Sequence, residues 1–383
     1  MLAWIAVAVL LGMSLWFAGT AVAAGLGRDF GLDASGTAWL TMAVQVGFVV
    51  GTLASAAINL PDIVPPRRVF AYGCIAGAAA TASALVAPGP AALLAGRFAT
   101  GVSLACVYPP AMKIAAAWTV HRRGTALGLL IGALTFGKAL PHLLAWISTP
   151  LEWRGVLMFV SAQAVLGAAI MLVIVRDGPH LVATSRFDPR AMFEIVRNRA
   201  ARLATLGYLG HMWELYAFWT WVGAFGAASA AAQGDVRTWA PGIGFLALAV
   251  GAPACLLAGI AADRIGKARL ARDAMIVSGL CCLASPLVFR GGPWAIVALA
   301  LVWGAVVIAD SAQFSALIAE HSDPNHVGTA LTVQVSVGFL LTTLSIWTTQ
   351  ALATHVGWQW ALLPLAAGPL AGALAMSPRR FTR

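Results

Sequence analysis

Several side chains able to hold a charge or pass a proton lie inside apolar runs: Arg97, Lys113, Lys138, His142, His211, Glu214 and Asp310. An ionisable group near a bilayer centre costs about 2.5–3.5 kcal/mol even on insertion scales, so each of these needs a functional reason. Their spacing groups them. Lys138 and His142 are i,i+4 and share a helix face, and His211 and Glu214 are i,i+3. Glu214 also shares its face with Phe218 and Trp221, while Trp303, Asp310 and Phe314 line up on another helix. Arg97, Gly101 and Tyr108 fall on one stripe about three turns long. Such cations can hold an anion, and a carboxylate beside an imidazole and an aromatic wall can carry a proton. Hydrolysis is not indicated, because the chain contains neither H-E-x-x-H nor G-x-S-x-G, and no enzymatic activity is expected. Gly132-x-x-x-x-Gly137-Lys138 resembles a phosphate-binding loop. It ends in Ala139 where Ser or Thr must hold magnesium, and no strand precedes it. The five cysteines lack C-x-x-C spacing, so neither a zinc site nor any cofactor is expected.

The elements that must position these residues follow from composition. Of 383 residues, 60% are hydrophobic and 10% charged, against about 45–50% and 25% in soluble domains. This excludes a soluble enzyme and a disordered chain, and predicts an all-α membrane protein. Apolar runs long enough to span a bilayer fall near 2–26, 36–59, 69–87, 91–118, 125–148, 155–175, 203–226, 240–262, 274–289, 294–319, 328–353 and 358–376. An outer-membrane barrel would show shorter, alternating segments. The first run has no basic residue before it and is read as a transmembrane helix, not a signal peptide.

Seventeen of the Lys and Arg residues fall in loops on one side of these twelve spans and four on the other. By the positive-inside rule both termini face the cytoplasm, in a cell inner or plasma membrane. The same rule accounts for the net charge of +10. The basic residues are not interleaved with aromatics, so nucleic acid is not an expected partner. A lipid bilayer and a small solute are, and the protein is expected to be a monomer.

The halves repeat. Gly124-Thr-Ala-Leu127 opens the fifth span and Gly328-Thr-Ala-Leu331 the eleventh, while Trp153 precedes the sixth and Trp358 the twelfth. A weaker echo pairs Leu15-Trp-Phe-Ala18 with Glu214-Leu-Tyr-Ala217. The resulting division is a six-helix bundle over 1–175, a basic cytoplasmic loop over 176–202, and a second bundle over 203–383. The loop is expected to carry a short amphipathic helix around Pro189–Arg199 on the inner leaflet.

Gly259-Ile-Ala-Ala-Asp263-Arg264-Ile-Gly266-Lys267, between the eighth and ninth spans, resembles the loop signature of the major facilitator superfamily. The resemblance implies two pseudo-symmetric six-helix bundles, and a role for Asp263 and Arg264 in holding helix ends at the cytoplasmic face. The matching loop between spans two and three departs from the pattern, with Ala56-Ala57 at the Asp-Arg position; Asp62 with Arg67 and Arg68 is the expected substitute. Arg97-Phe-Ala-Thr-Gly101 resembles the family's R-x-x-x-G element, which is associated with proton-coupled members. The stretch Gly132–Pro141 matches the antiporter signature too poorly to assign exchange.

Lys138 lies about 13 residues, or roughly 20 Å, into its span, and Glu214 and Asp310 are also central. Family members place solute and coupling ions at that depth. The expected activity is therefore secondary transport by alternating access, coupled to protons, with a small organic or inorganic anion as the favoured solute. Lys138, His142, Arg97, Tyr108, Trp221 and Phe314 are expected to bind it, and Glu214, Asp310 and His211 to carry the proton. Gly259, Asp263, Arg264, Gly266 and Lys267 form the gating loop. Two alternatives stay open: a proton-antiport exporter of lipophilic or cationic drugs, and a transport-inactive sensor or assembly partner.

Overall fold

The computed structural model describes residues 1–119, 123–147, 152–181, 197–234, 240–323 and 326–381, and these form helices joined by short turns. In hydrocarbon every backbone N–H and C=O must be satisfied within the protein, which leaves an apolar chain of this kind the helix as its spanning form. Nine helices among the described residues are long and apolar enough to cross a membrane. The chain divides into two compact units, Met1–Thr184 and Ser185–Arg383.

In the first unit α1 is broken into Leu2–Met13, Ala18–Ala21 and Ala23–Phe30. It is followed by α2 (Ala34–Ala57) and by α3 (Pro66–Ala82), which a 3₁₀ turn extends. Next come α4, in two segments (Pro90–Leu104 and Tyr108–Trp118), then α5 (Arg123–Ile147) and α6 (Trp153–Val173). The second unit contains α7 (Arg199–Ala232), a two-segment α8 (Ala240–Ala249 and Gly251–Ile265) and α9 (Lys267–Val288). It continues with a two-segment α10 (Pro293–Ala309 and Ser311–His321) and α11 (Val327–Val356). The last is α12, broken into Trp358–Ala361, a 3₁₀ turn and Ala367–Ala375. The described residues thus hold the twelve predicted spans.

The interruptions have local causes. A proline ring displaces the carbonyl four residues before it. Pro109 therefore ends the first segment of α4 near Ala105, and Pro253 ends the first segment of α8 at Ala249. Pro141 is an exception, since α5 runs through it. The sixfold offset is visible in α4 and α10. Each starts on a proline after a glycine, and each ends in an 11-residue second segment. The break in α4 separates Arg97 and Gly101 from Tyr108, so these three do not share the continuous stripe that their spacing predicts.

Helix packing repeats as well. A Cβ added to Gly101 of α4 would collide with the Val44 carbonyl of α2, and one on Gly304 of α10 would collide with the Ala247 carbonyl of α8, at the same sequence offset. The nearest atoms facing Gly101 are all backbone, so nothing flexible can yield there. Gly101→Val is expected to destabilise the first unit by about 1–3 kcal/mol, the usual range for overpacking. A lowered melting temperature in detergent checks this, and an unchanged one removes Gly101 from the α2–α4 contact.

Two boundaries need correction. The central loop lies earlier in the chain than 176–202, since α6 already ends at Val173 and α7 starts at Arg199. Trp118 Nε1 donates to the Arg176 carbonyl at 2.8 Å, and His180 N donates to the Ala117 carbonyl at 3.2 Å, fastening this segment to the end of α4. At the other end α7 starts at Arg199, where the Asn198 side chain accepts from Ala201 N and donates to the His321 carbonyl. The ninth span starts at Lys267, not 274, and its charged first turns are tied by Arg269 and Arg272 to Asp273. Apolarity marks what crosses lipid, whereas backbone hydrogen bonds carry a helix further into polar sequence. The amphipathic helix expected around Pro189–Arg199 falls mostly on residues 182–196, outside those described.

Candidate functional site

In the first unit the polar groups gather around the gap in α1. Residues Ser14–Phe17 leave the helix, and Arg97 takes up the carbonyls this releases. Its Nη2 donates to Trp16 O at 2.6 Å, its Nη1 to Leu15 O at 3.3 Å and its Nε to Leu40 O of α2 at 3.2 Å. Arg97 is 2% exposed. The guanidinium expected to bind solute is thus committed to backbone and acts as a brace for the gap.

The buried Trp16 indole of that gap meets the lysine. Lys138 Nζ lies 4.3 Å from the Trp16 ring centroid, within cation–π range. Phe48 of α2 flanks the same indole at 5.0 Å between centroids, and the His142 ring lies 6.1 Å from Phe17. Lys138 and His142 therefore do meet one element together, as their i,i+4 spacing predicts. Tyr108 is half-buried in the first turn of the second α4 segment.

Two further polar groups are buried here. Thr41 Oγ1 and Thr20 Oγ1 are 2.6 Å apart, so this face of α2 is turned toward α1. Gln45 stands on the same face, one turn from Thr41 and three residues before Phe48. It is fully buried, and neither end of its carboxamide has a hydrogen-bond partner among the described residues. The same holds for His142 Nε2. Each such group costs about 1–3 kcal/mol.

The second unit holds the carboxylates. Glu214 Oε1 accepts from Ser278 Oγ at 2.6 Å, Cys282 Sγ at 3.2 Å and Trp303 Nε1 at 2.5 Å. The Trp303 ring stacks on Phe218 at 4.3 Å, making the aromatic wall expected beside this carboxylate. His211 Nδ1 lies 2.8 Å from Asp310 Oδ1, and Phe314 and Tyr208 pack around the imidazole with centroids 5.5 and 6.1 Å away. Asp310 occupies the break in α10, where Cys255 Sγ reaches the Ile308 carbonyl at 3.8 Å. The helix that aligns Trp303, Asp310 and Phe314 is therefore not continuous, yet all three side chains still reach α7. Trp221 does not join them. Its Nε1 donates to the Ile346 carbonyl of α11 at 3.0 Å, and its ring packs on Trp358.

At the loop ends, each unit ties its second helix–helix loop to the second segment of α4 or α10. In the first unit Lys113 pairs with Asp62, and in the second Lys267 pairs with Glu320. The polarity is inverted between the units. Asp62 was expected to act with Arg67 and Arg68, but Arg67 instead pairs with Asp177 at 3.4 Å. Asp263 and Arg264 are exposed, as is Gly266, whose φ of 90° turns the chain into α9. Gly259 has open space around it.

Sequence reasoning missed Trp16, Gln45, Ser278 and Cys282 as site residues. Ser278 and Cys282 are i,i+4 in an apolar span, a visible signal. Nothing in the sequence says that this face of α9 meets α7.

These features define a polytopic helical membrane protein with buried charge held beside interrupted helices. The family model of the Major Facilitator Superfamily matches residues 4–345, and the chain belongs to that family: it is a multi-pass transporter of a small solute. The nucleoside transporter NupG, in a mutant crystal structure, is similar in fold, with a TM-score of 0.74 at 14% identity over 98% of both chains. A bacterial homolog of the human lysosomal transporter Spinster, crystallised in an inward-facing and occupied conformation, gives a TM-score of 0.72 at 15% identity. That match covers 98% of this chain and 95% of the other. No curated protein sequence matches the chain.

Proposed function

We propose that the protein moves a small anionic solute across a cell inner or plasma membrane by alternating access, coupled to protons, with both termini cytoplasmic. The observation that carries this reading is the division of charge. The first unit sets Lys138 against Trp16 deep in the fold, and the second sets Glu214 and Asp310 against donors and aromatic rings. An intramembrane cation attracts an anion, and a buried carboxylate or imidazole suits proton carriage. Asp310 and His211 form one such relay and Glu214 another. The seventeen-to-four distribution of basic loop residues supports the orientation.

The aromatic lining of Glu214, Phe218 and Trp303, favours a second reading, in which a lipophilic cation is exported with Glu214 as its counter-ion. One comparison separates the two. Purified protein in proteoliposomes is expected to accumulate small acids under an inward proton gradient, and Lys138→Ala to lower that uptake at least tenfold, as the loss of one charge-assisted contact implies. Uptake of acids unaffected by Lys138→Ala overturns the anion reading. Cation efflux abolished by Glu214→Gln establishes the second one, and flux of neither class points to a sensor.

A further inference from the structure

We infer that Ser278, Cys282 and Trp303 are positioning residues that make Glu214 Oε2 the proton-binding atom of the second unit, and that this site takes a proton and refuses sodium. The inference rests on the transport reading above and deepens it, naming the atom that carries the coupling ion and the side chains that choose the ion.

Three donors from two helices converge on one oxygen. Ser278 and Cys282 are one turn apart on α9 and reach Glu214 Oε1 at 2.6 and 3.2 Å, and Trp303 of α10 reaches the same atom at 2.5 Å. Oε2 receives no hydrogen bond among the described residues. The direction of each donor is held by its surroundings. Phe218, one turn after Glu214 on α7, stacks on the Trp303 ring at 4.3 Å with 23° between planes, which aims the indole N–H along the face that carries the carboxylate. Ser285 of α9 returns its hydroxyl to the Cys282 carbonyl on its own helix, whereas Ser278 sends its hydroxyl across to α7. Glu214 is 2% exposed and Trp303 fully buried, and hydrogen bonds are stronger in such surroundings than in water.

A neutral carboxylic acid has one oxygen that only accepts and one that donates its proton. The oxygen already accepting three hydrogens is the first of these. Proton uptake therefore forms an O–H bond at Oε2, turns the carboxylate into the neutral acid and leaves all three bonds to Oε1 in place; release reverses the step. The charge changes by one while no partner has to turn away. A sodium ion needs several oxygen lone pairs directed at it, as unwound helix carbonyls supply in sodium-binding transporters. Glu214 instead meets the hydrogens of an indole, a hydroxyl and a thiol, and an indole N–H can only donate. The other titratable groups acting on Glu214 are Asp310 of α10 and the thiols of Cys281 and Cys282 on α9. Asp310 is engaged by His211 Nδ1 at 2.8 Å.

The test is infrared difference spectroscopy on the full chain, reconstituted in lipid, as the pH is lowered. The wild type is expected to gain a carboxylic C=O band that Glu214→Gln lacks. In the same spectra one S–H band, identified by its loss in Cys282→Ala, should move to higher frequency, because its acceptor gives up a full negative charge. Trp303→Phe keeps a ring on Phe218 and removes the N–H, and Ser278→Ala removes the O–H; each should move the C=O band to higher frequency. Cys282→Ser puts a stronger donor at the same oxygen and should move it lower. Should one variant fail to fold, the other two read the same atom. Exchange of potassium for sodium at fixed pH is expected to leave both the C=O band and proton-driven uptake unchanged. The inference is overturned if the C=O band is the same in folded Trp303→Phe and Ser278→Ala as in wild type, or if the S–H band stays fixed while Glu214 titrates. It is overturned equally if sodium removes the C=O band. The first two results still leave Glu214 as a proton carrier. A band missing at every pH removes Glu214 from that role and takes this inference with it. The full set of spectral changes without proton-driven uptake would leave this site standing and remove the transport reading instead.

Discussion

Glu214→Gln is expected to yield a folded protein that exchanges solute across the bilayer but no longer concentrates it against a gradient. The substitution is nearly isosteric, and a carboxamide oxygen can accept from Ser278, Cys282 and Trp303 as the carboxylate does. The melting temperature should therefore stay near that of the wild type, because the three donors keep an acceptor and the stack of Phe218 on Trp303 is untouched. What is lost is the proton, which an amide cannot take up or release. Uptake driven by a pH gradient should fall to the background of empty vesicles, while counterflow of labelled against unlabelled solute persists. Glu214→Ala is the contrasting case. It leaves three buried donors without an acceptor, at about 1–3 kcal/mol each, and should lower stability as well. If Glu214→Gln still accumulates solute under a proton gradient, the proton path runs elsewhere, and His211 with Asp310 is the next pair to test.

The other large effect is expected at Arg97, and it is on stability. Arg97→Met keeps length and apolar volume but removes every donor to Leu15, Trp16 and Leu40. Water cannot replace them at a fully buried position, so the first unit should lose about 3 kcal/mol or more. Thermal unfolding in detergent reads this directly. Arg97→Lys should recover part of the loss, because one ammonium can reach one or two of the three carbonyls but cannot fork between helices as a guanidinium does. A further consequence is specific to the geometry. With the gap in α1 unbraced, Trp16 shifts relative to Lys138, so anion binding should weaken in Arg97→Lys even where the protein remains folded. A wild-type melting temperature in Arg97→Met would show that the gap needs no brace and return Arg97 to the solute.

The membrane class, the twelve spans and the two-bundle plan follow from hydropathy and basic-residue placement, because lipid imposes one rule on every backbone group of the chain. The four-residue echo that opens at Gly124 and at Gly328, and the tryptophans Trp153 and Trp358, mark the repeat before any coordinates are considered. So does the identity of the buried ions: Lys138, Glu214 and Asp310 are conspicuous because a charge in an apolar run is costly anywhere along it.

Partners were another matter. Helical spacing says which residues share a face but not which helix that face meets. That Glu214 would find Ser278 and Cys282 on α9, that Trp221 would turn to α11, and that Lys113 would pair with Asp62 depends on packing between segments far apart in sequence. Spacing also assumes an unbroken helix. Proline explains the interruption of α4, but no residue type announces the gap at Ser14–Phe17, which exists because a guanidinium on another helix accepts the burden of its carbonyls. The sequence by itself thus determined what kind of protein this is and which side chains carry charge into the membrane. Only the tertiary structure decided which of those charges brace the fold and which stand beside aromatic rings, since that choice is made by contacts between helices and not within them.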